Sequence, residues 1–304
     1  MTLDQLRIFV AVAEREHVTQ AAGALNLTQS AVSAAVAALE ERHALQLFDR
    51  VGRRIVLTEA GRLFLDEARA VLARAGQAER LLDDLAGLRR GALRLGASQT
   101  VGNYWLPSVM QRFRADHPGV DLTLETGNTT EVARLVHDAR VDLGFVEGGI
   151  DDAALAVRAL PGDDLALVVA PGHDWTRRPP AGATDLKGGR WVLREPGSGT
   201  RAVLEDVLAG QGLTTRDLDI ALELPSNEAV RTAVEAGAGA AILSTLVVQP
   251  SLASGRLLRV PFNLPPRPFH VLRHRERHLS LAERRFLDLA GAADGPPQRQ
   301  ADHP

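Results

Sequence analysis

The sequence predicts an α/β chain in three linked parts: a small N-terminal winged helix-turn-helix, a long linker helix, and a two-lobed domain of alternating strands and helices. Three observations carry that reading. Two short helical stretches joined by a tight turn follow a packing helix and precede a glycine-centred hairpin. Residues 59–90 then space their apolar side chains alternately by four and three. After Gly91, strand-like and helical patterns alternate to about residue 290.

At 304 residues the chain exceeds one ordinary domain, and with 45% apolar residues most of it is expected to form packed cores. The expected boundaries are 1–58 for the winged unit, 59–90 for the linker helix, 91–290 for the lobes and 291–304 for a polar, Pro- and Gly-rich disordered tail. The sequence contains no cysteine, which excludes disulfides, thiolate metal sites and cysteine nucleophiles together. The N-terminus lacks a signal peptide's basic start, and no run approaches the ~18 apolar residues of a membrane span. A cytoplasmic protein with no membrane partner is expected. A net charge of −3 does not announce a nucleic-acid ligand, so any such claim rests on local residues.

Each element follows from local chemistry. Leu3, Leu6, Phe9, Val10 and Ala13 share one helical face. Thr19 is placed to cap a short second helix. Asn26-Leu27-Thr28 makes the turn, and Thr28 caps a third helix from Gln29 to about Arg42. Val32, Val36 and Leu39 face inward on that helix. LFDRVGRRIVLT places a glycine between two β-prone arms, with Arg50, Arg53 and Arg54 in and around the turn. The linker seam is Phe64, Ala68, Val71, Ala75, Ala78, Leu82 and Leu85. A helix this long has no reason to stand alone in water, so a second copy of the chain is its simplest partner.

Beyond Gly91 the segments ALRLGAS, VDLTLET, DLGFVEG, LALVVA, RWVLRE, IALEL, GAAILS and RPFHVLRH read as strands. Mainly parallel sheets are expected, with a ligand at the carboxyl ends of the strands. Two connections, about 159–169 and 259–271, have the pattern of strands crossing between lobes. They divide the domain into lobe I, about 91–162 and 266–290, and lobe II, about 163–265.

The run LRIFVAVAEREHVTQAAGALNLTQSAVSAAVAALEERHALQLFDR, followed by LTEAG, closely resembles the N-terminal domain of LysR-type transcription regulators. The resemblance implies a winged helix-turn-helix, a linker helix and a two-lobed, periplasmic-binding-protein-like (type 2) effector domain. It also implies a homo-oligomer, a dimer of dimers, acting on double-stranded promoter or operator DNA. The residues agree with this. Thr19, Thr28, Gln29, Ser30 and Ser33 lie at helix starts, where short polar groups reach base edges or phosphates in a major groove. Gln29 suits bidentate pairing with adenine, and Arg50, Arg53 and Arg54 suit phosphates or a minor groove.

In the second half, LREPGSGTR sets Ser198, Gly199 and Thr200 between a strand and a helix start, where backbone N–H groups and hydroxyls receive an anion. Ser98 and Thr100, Asn128 and Thr129, and Ser226 and Asn227 occupy equivalent turns. Arg194 adds a permanent cation able to grip a carboxylate, sulfate-like group or phosphate. Glu147 has two readings, neutralising Arg194 or accepting a proton from the ligand. GASQT, GNTTEV, DLGFVEG and LREPGSGTR together resemble the LysR regulators of sulfite reduction and of carbon-fixation operons. That resemblance implies a small anionic effector, a sulfur oxyanion or a phosphorylated or carboxylated metabolite.

Other chemistries fit poorly. His270, His274 and His278 are four apart, a spacing that on a helix suits a metal. FHVLRH alternates like a strand, however, which would set two of them about 13 Å apart, so no metal is expected. Gly197-Ser198-Gly199 lacks the spacing of a nucleophile elbow and has no histidine placed as its base. The glycine-rich stretches match neither a P-loop nor a dinucleotide fingerprint. No enzymatic activity and no cofactor are expected. A solute-binding module would share the lobes but would need a signal peptide and would not carry residues 1–90.

Overall fold

In the computed structural model the chain forms two compact units, Met1–Leu82 and Asp83–Pro304. The structure describes residues 1–51, 54–85 and 91–292, leaving aside the side chains of 50, 51, 54, 77, 80, 81, 83–85 and 292.

The first unit opens on α1 (Leu3–Arg15), started by a reciprocal cap. The Gln5 backbone N–H donates to Thr2 Oγ1 at 3.2 Å, and the Thr2 N–H donates to Gln5 Oε1 at 3.0 Å. α2 (Val18–Ala24) departs from expectation at its start: His17, with extended backbone, occupies the cap position without a side-chain bond. Thr19 is therefore already inside the first turn and caps nothing. Asn26 turns the chain at φ 54°, a left-handed conformation that asparagine tolerates. α3 (Gln29–His43) then begins under the expected Thr28 cap, which accepts from the Ala31 N–H at 3.2 Å.

Strands β1 (Phe48–Val51) and β2 (Arg54–Leu57) pair antiparallel, with Phe48 opposite Leu57 and Arg50 opposite Ile55. Glu40 on α3 anchors this hairpin by accepting the Leu47 and Phe48 N–H groups at 2.7 and 3.2 Å. Thr58 starts α4 (Glu59–Leu85), accepting the Gly61 N–H at 2.9 Å while its hydroxyl donates to the Gln46 carbonyl at 2.8 Å. A Cβ on Gly61 would lie 2.1 Å from the Leu47 carbonyl oxygen, so only glycine lets α4 seat against the backbone just before β1. Phe9 is fully buried and packs on Phe48 and Phe64.

The linker seam divides. Ala68 is buried in the core of the first unit and Phe64 is packed against it, whereas Val71 and Leu82 are exposed. The expected helix end near Arg90 and the Leu85 side chain lie outside the described residues.

In the second unit, β3 (Gly91–Ser98), α5 (Leu106–Asp116), β4 (Val120–Gly127), α6 (Thr129–His137) and β5 (Leu143–Glu147) form successive strand–helix units. β6 (Leu155–Asp163) leads across to β7 (Leu165–Val169). Then come β8 (Arg190–Arg194), α7 (Gly199–Ala209), β9 (Asp219–Leu224), α8 (Asn227–Glu235), β10 (Ala241–Ser244), α9 (Thr245–Ala253) and β11 (Leu258–Val260). The return strand β12 (Arg267–His274) precedes α10 (Leu281–Ala292). α10 extends two residues into the stretch expected as a disordered tail, and 293–304 lie outside the described residues.

Two sheets result. In the first, ordered β4-β3-β5-β12-β6, β3 lies parallel to β4 and β5, while β12 runs antiparallel to both β5 and β6. In the second lobe β8 and β9 are parallel, but β7 lies antiparallel between β10 and β11. Each lobe thus combines parallel and antiparallel pairing, where mainly parallel sheets were expected. The reason is the double crossing: a chain that leaves a lobe and returns must run against the strands laid down by the βα units. Aromatic residues fill the first lobe, with Trp105 against Phe145 and Phe269, and Phe113 against Phe286. Trp175 and Trp191 anchor the second. Among the described residues no single helix is long and apolar enough to cross a membrane.

Candidate functional site

On the first unit, the start of α3 presents its polar side chains outward. Gln29, Ser30 and Ser33 are exposed, and their spacing of three and four sets them on one side of the helix. Val32 and Leu39 are buried on the other side, with Val36 half-buried. Thr28 faces solvent as the cap, its hydroxyl 3.0 Å from that of Ser30. Thr19 is exposed in the first turn of α2. Backbone pairing sets Arg50 and Arg54 on the two arms of the hairpin. Their side chains, and Arg53 altogether, lie outside the described residues.

In the second unit the strand-to-helix turns converge. Ser98 ends β3, Asn128 and Thr129 begin α6, Glu147 ends β5, Arg194 ends β8, Gly199 and Thr200 begin α7, and Asn227 begins α8. Ser98, Thr100, Thr129, Glu147, Arg194, Ser198, Thr200 and Asn227 are all buried. This is the usual location for a ligand in open α/β sheets, at the carboxyl ends of the strands. A five-residue π turn (Val101–Trp105) directly follows Thr100, a local irregularity often found at functional sites.

Two arginines organise the cluster. Arg194 donates from Nε to Glu195 Oε2 at 2.7 Å and from Nη2 to Glu195 Oε1 at 2.8 Å. Its Nη1 bonds Asn227 Oδ1. The Asn227 amide in turn donates to Thr100 Oγ1 at 3.0 Å, linking the lobes. Arg267, at the start of β12, clasps Asp163 through Nε and Nη2 at 2.7 and 2.5 Å. Its Nη1 donates to Thr200 Oγ1 at 3.0 Å and lies 3.7 Å from Glu147 Oε1. Ser98 donates to the other Glu147 oxygen, and Thr129 donates to the Glu147 carbonyl at 2.6 Å.

Glu195, rather than Glu147, is thus the carboxylate that neutralises Arg194, while Glu147 faces Ser98 and Arg267. Partial burial pushes the Glu195 carboxyl upward, but the hydrogen bonds and charge of Arg194 outweigh it and hold the group below its ordinary range. Three carboxylates (Glu147, Asp163, Glu195) face two guanidiniums (Arg194, Arg267), so the cluster holds more acidic side chains than the expected Arg194 and Glu147 alone would give.

The lobes also close directly on one another. Thr130 N–H donates to the Gly197 carbonyl at 3.3 Å, and the Gln99 amide donates to the Pro225 carbonyl at 2.8 Å. A Cβ on Gly199 would lie 1.7 Å from the Glu147 carbonyl oxygen, so glycine alone permits this approach. At the rim, Tyr104 donates to Glu228 Oε1 at 3.0 Å; burial, then that carboxylate, push its phenol up to about 12.

Some turns are ordinary caps. Asn128 and Ser226 each accept from their own helix, at Glu131 N (2.9 Å) and Ala229 N (3.0 Å). Ser198 makes no such bond to α7. Sequence reasoning missed Arg267, Asp163 and Glu195. Arg267 and Asp163 stand 104 residues apart and meet only because both crossing strands pass the site. The available signal was a charged residue in each crossing segment, Asp163 beside Asp164 in the first and Arg267 in the second. Glu195 stands inside the LREPGSGTR phrase, but neighbours on a regular strand face opposite sides, so nothing local indicates that it folds onto Arg194.

The comparisons with known proteins agree with both halves. Residues 3–62 match the family described as bacterial regulatory helix-turn-helix protein, lysR family, and residues 86–294 match the LysR substrate binding domain. The chain is 39% identical over 298 residues to the uncharacterized HTH-type transcriptional regulator YeiE of Escherichia coli K12, covering 97% of this chain and 99% of the relative. It is 34% identical over 295 residues to the HTH-type transcriptional regulator CbbR of Rhodospirillum rubrum, covering 96% of each. Among solved structures, HinK, a LysR family regulator from Pseudomonas aeruginosa, aligns at 25% identity and TM-score 0.57, covering 97% of this chain and 99% of that one. CbnR complexed with its target DNA shares the fold at TM-score 0.65 and 21% identity, covering 95% and 99%. The chain belongs to the LysR family of bacterial helix-turn-helix transcription regulators and is not an enzyme.

Proposed function

We propose that this regulator reads operator DNA with the start of α3 and responds to a small anion held between the two lobes of its second unit. Gln29, Ser30 and Ser33 contact base edges, Thr19 and Thr28 lie against the backbone, and Arg50, Arg53 and Arg54 on the wing add phosphate or minor-groove contacts. Exposed Val71 and Leu82 on α4 support pairing with a second copy, and the family supports assembly of two such dimers. The effector is gripped by Arg194 and by the turns carrying Ser98, Thr100, Asn128, Thr129, Ser198, Gly199, Thr200 and Asn227. Glu147, with Ser98 and Arg267 beside it, accepts a proton from a protonated ligand.

The observation that carries this reading is the buried convergence of strand-to-helix turns from both lobes on Arg194, through Asn227 and Thr100. A ligand that replaces bonds between the lobes changes their closure, and through it the packing of subunits that bear the DNA-reading heads. Relatives named as RuBisCO regulators support a phosphorylated or carboxylated metabolite, and the polar turns equally suit a sulfur oxyanion. The test is selection of bound duplexes from a random library by the full-length protein, alone and with sulfite, sulfate, phosphate or a phosphorylated sugar. A dyad-symmetric motif whose affinity shifts with one anion is expected. Failure to enrich any motif would overturn the reading.

A further inference from the structure

The seat that Arg194 offers an anion is already filled by the chain itself. The guanidinium side chain is only 3% exposed, and two of its nitrogens grip both oxygens of the adjacent Glu195. Such a fork between neighbours requires the strand to end abruptly. β8 stops at Arg194, and Pro196 and Gly197 (φ 86°) turn the chain so that Glu195 folds back over the preceding side chain. Glu195 Oε1 also accepts from Asn128 Nδ2 at 3.3 Å, a bond between the lobes. One carboxylate thus receives donors from the end of β8 and the start of α6, the same donors the proposed effector would use.

We propose that Glu195 is a tethered, displaceable occupant of the effector seat, competing with the ligand and selecting for oxyanions that present two oxygens at carboxylate-like spacing. The inference rests on the effector-site reading above. The contrast with the other arginine is its warrant. Asp163 on Arg267 is 0% exposed at its side chain, enclosed by Ser244 and two crossing strands, and has nowhere to go. Glu195 keeps 23% of its side chain exposed, beside exposed Pro196 and Gly197, so it can swing into water when another anion takes the fork. An intramolecular competitor lowers apparent affinity by the fraction of time the seat is open. It also sets a threshold: weak monovalent anions fail, and ligands with more charge or more contacts to Thr100, Ser198 and Asn227 succeed.

The test is calorimetric titration of the full-length protein with sulfite, sulfate and inorganic phosphate. Glu195→Gln should bind at least one of these about 10- to 100-fold tighter than wild type. The gain should vanish in the Arg194→Ala/Glu195→Gln double variant. Glu195→Asp, which keeps the charge but shortens its reach, should give a smaller gain and serves if the glutamine variant is unstable. Equal affinities in wild type and both Glu195 variants, with binding lost in Arg194→Ala, would overturn the occupant while leaving the site intact. A gain that persists in the double variant would also overturn it, by tracing the effect to net charge alone. Absence of any Arg194-dependent binding in every protein would overturn both the occupant and the site.

Discussion

The two units treat their polar side chains in opposite ways. At the start of α3, Gln29, Ser30 and Ser33 stand in solvent, and only Thr28 is committed to the helix. In the proposed effector cluster, Ser98, Thr100, Thr129, Thr200 and Asn227 are buried and bonded to other protein groups. The first arrangement is ready for a rigid, highly charged partner that brings its own geometry. The second is a closed network, so a ligand's affinity is the difference between the bonds it makes and those it replaces. The head is therefore recognised by what it leaves exposed, and the sensor by what it hides.

The largest effect should come from the buried pair in the sensor. Arg267→Met leaves Asp163 and Glu147 without their cation and should cost about 3–5 kcal/mol, as for other broken buried ion pairs. Arg194→Met should cost less, because Glu195 can turn to water. Trp105, Trp175 and Trp191 are the only tryptophans and all lie in the second unit, so denaturant titration followed by their fluorescence reports this unit alone. Equal losses for the two variants would erase the distinction drawn between the arginines.

A slightly smaller effect is expected on assembly. Leu82→Asp places a charge on the exposed seam and should weaken self-association roughly 100-fold, on the order of 3 kcal/mol. Sedimentation velocity over a concentration series checks this, and unchanged association would remove α4 from the interface. Gln29→Ala should cost about 1–3 kcal/mol at the specific site and little on random duplex. Comparison of the two DNAs by fluorescence anisotropy measures that difference. The smallest effect belongs to Thr28→Ala, which removes a helix cap worth about 1 kcal/mol and should lower the first unit's stability by that amount in a melt followed by far-ultraviolet circular dichroism.

How legible each region was follows from the range of its interactions. α3 and its Thr28 cap were readable because cap, turn and apolar face lie within a dozen residues. The strands of both lobes were readable from their apolar runs, but their directions were not, since antiparallel pairing depends on crossings made far apart in sequence. The seam was only half readable. Ala68 fits the heptad yet is buried in the first unit's core, because α4 both packs on its own unit and extends beyond it. Thr19 misled because any threonine before a small apolar run resembles a cap, whereas the extended backbone at His17 decides where α2 begins. In the sensor cluster the turns were legible, being local. The pairing of Arg267 with Asp163, and the folding of Glu195 onto its neighbour, were not.

On the function proposed above, DNA reading and anion sensing reside in separate units, and Arg194 serves only the second. The most direct test is fluorescence anisotropy of one selected operator duplex, titrated with full-length wild type and with Arg194→Ala, each with and without the anion identified in the selection experiment. The expected result is equal operator affinity without the anion, with a shift on adding it in wild type only. A shift of the same size in Arg194→Ala would contradict the account.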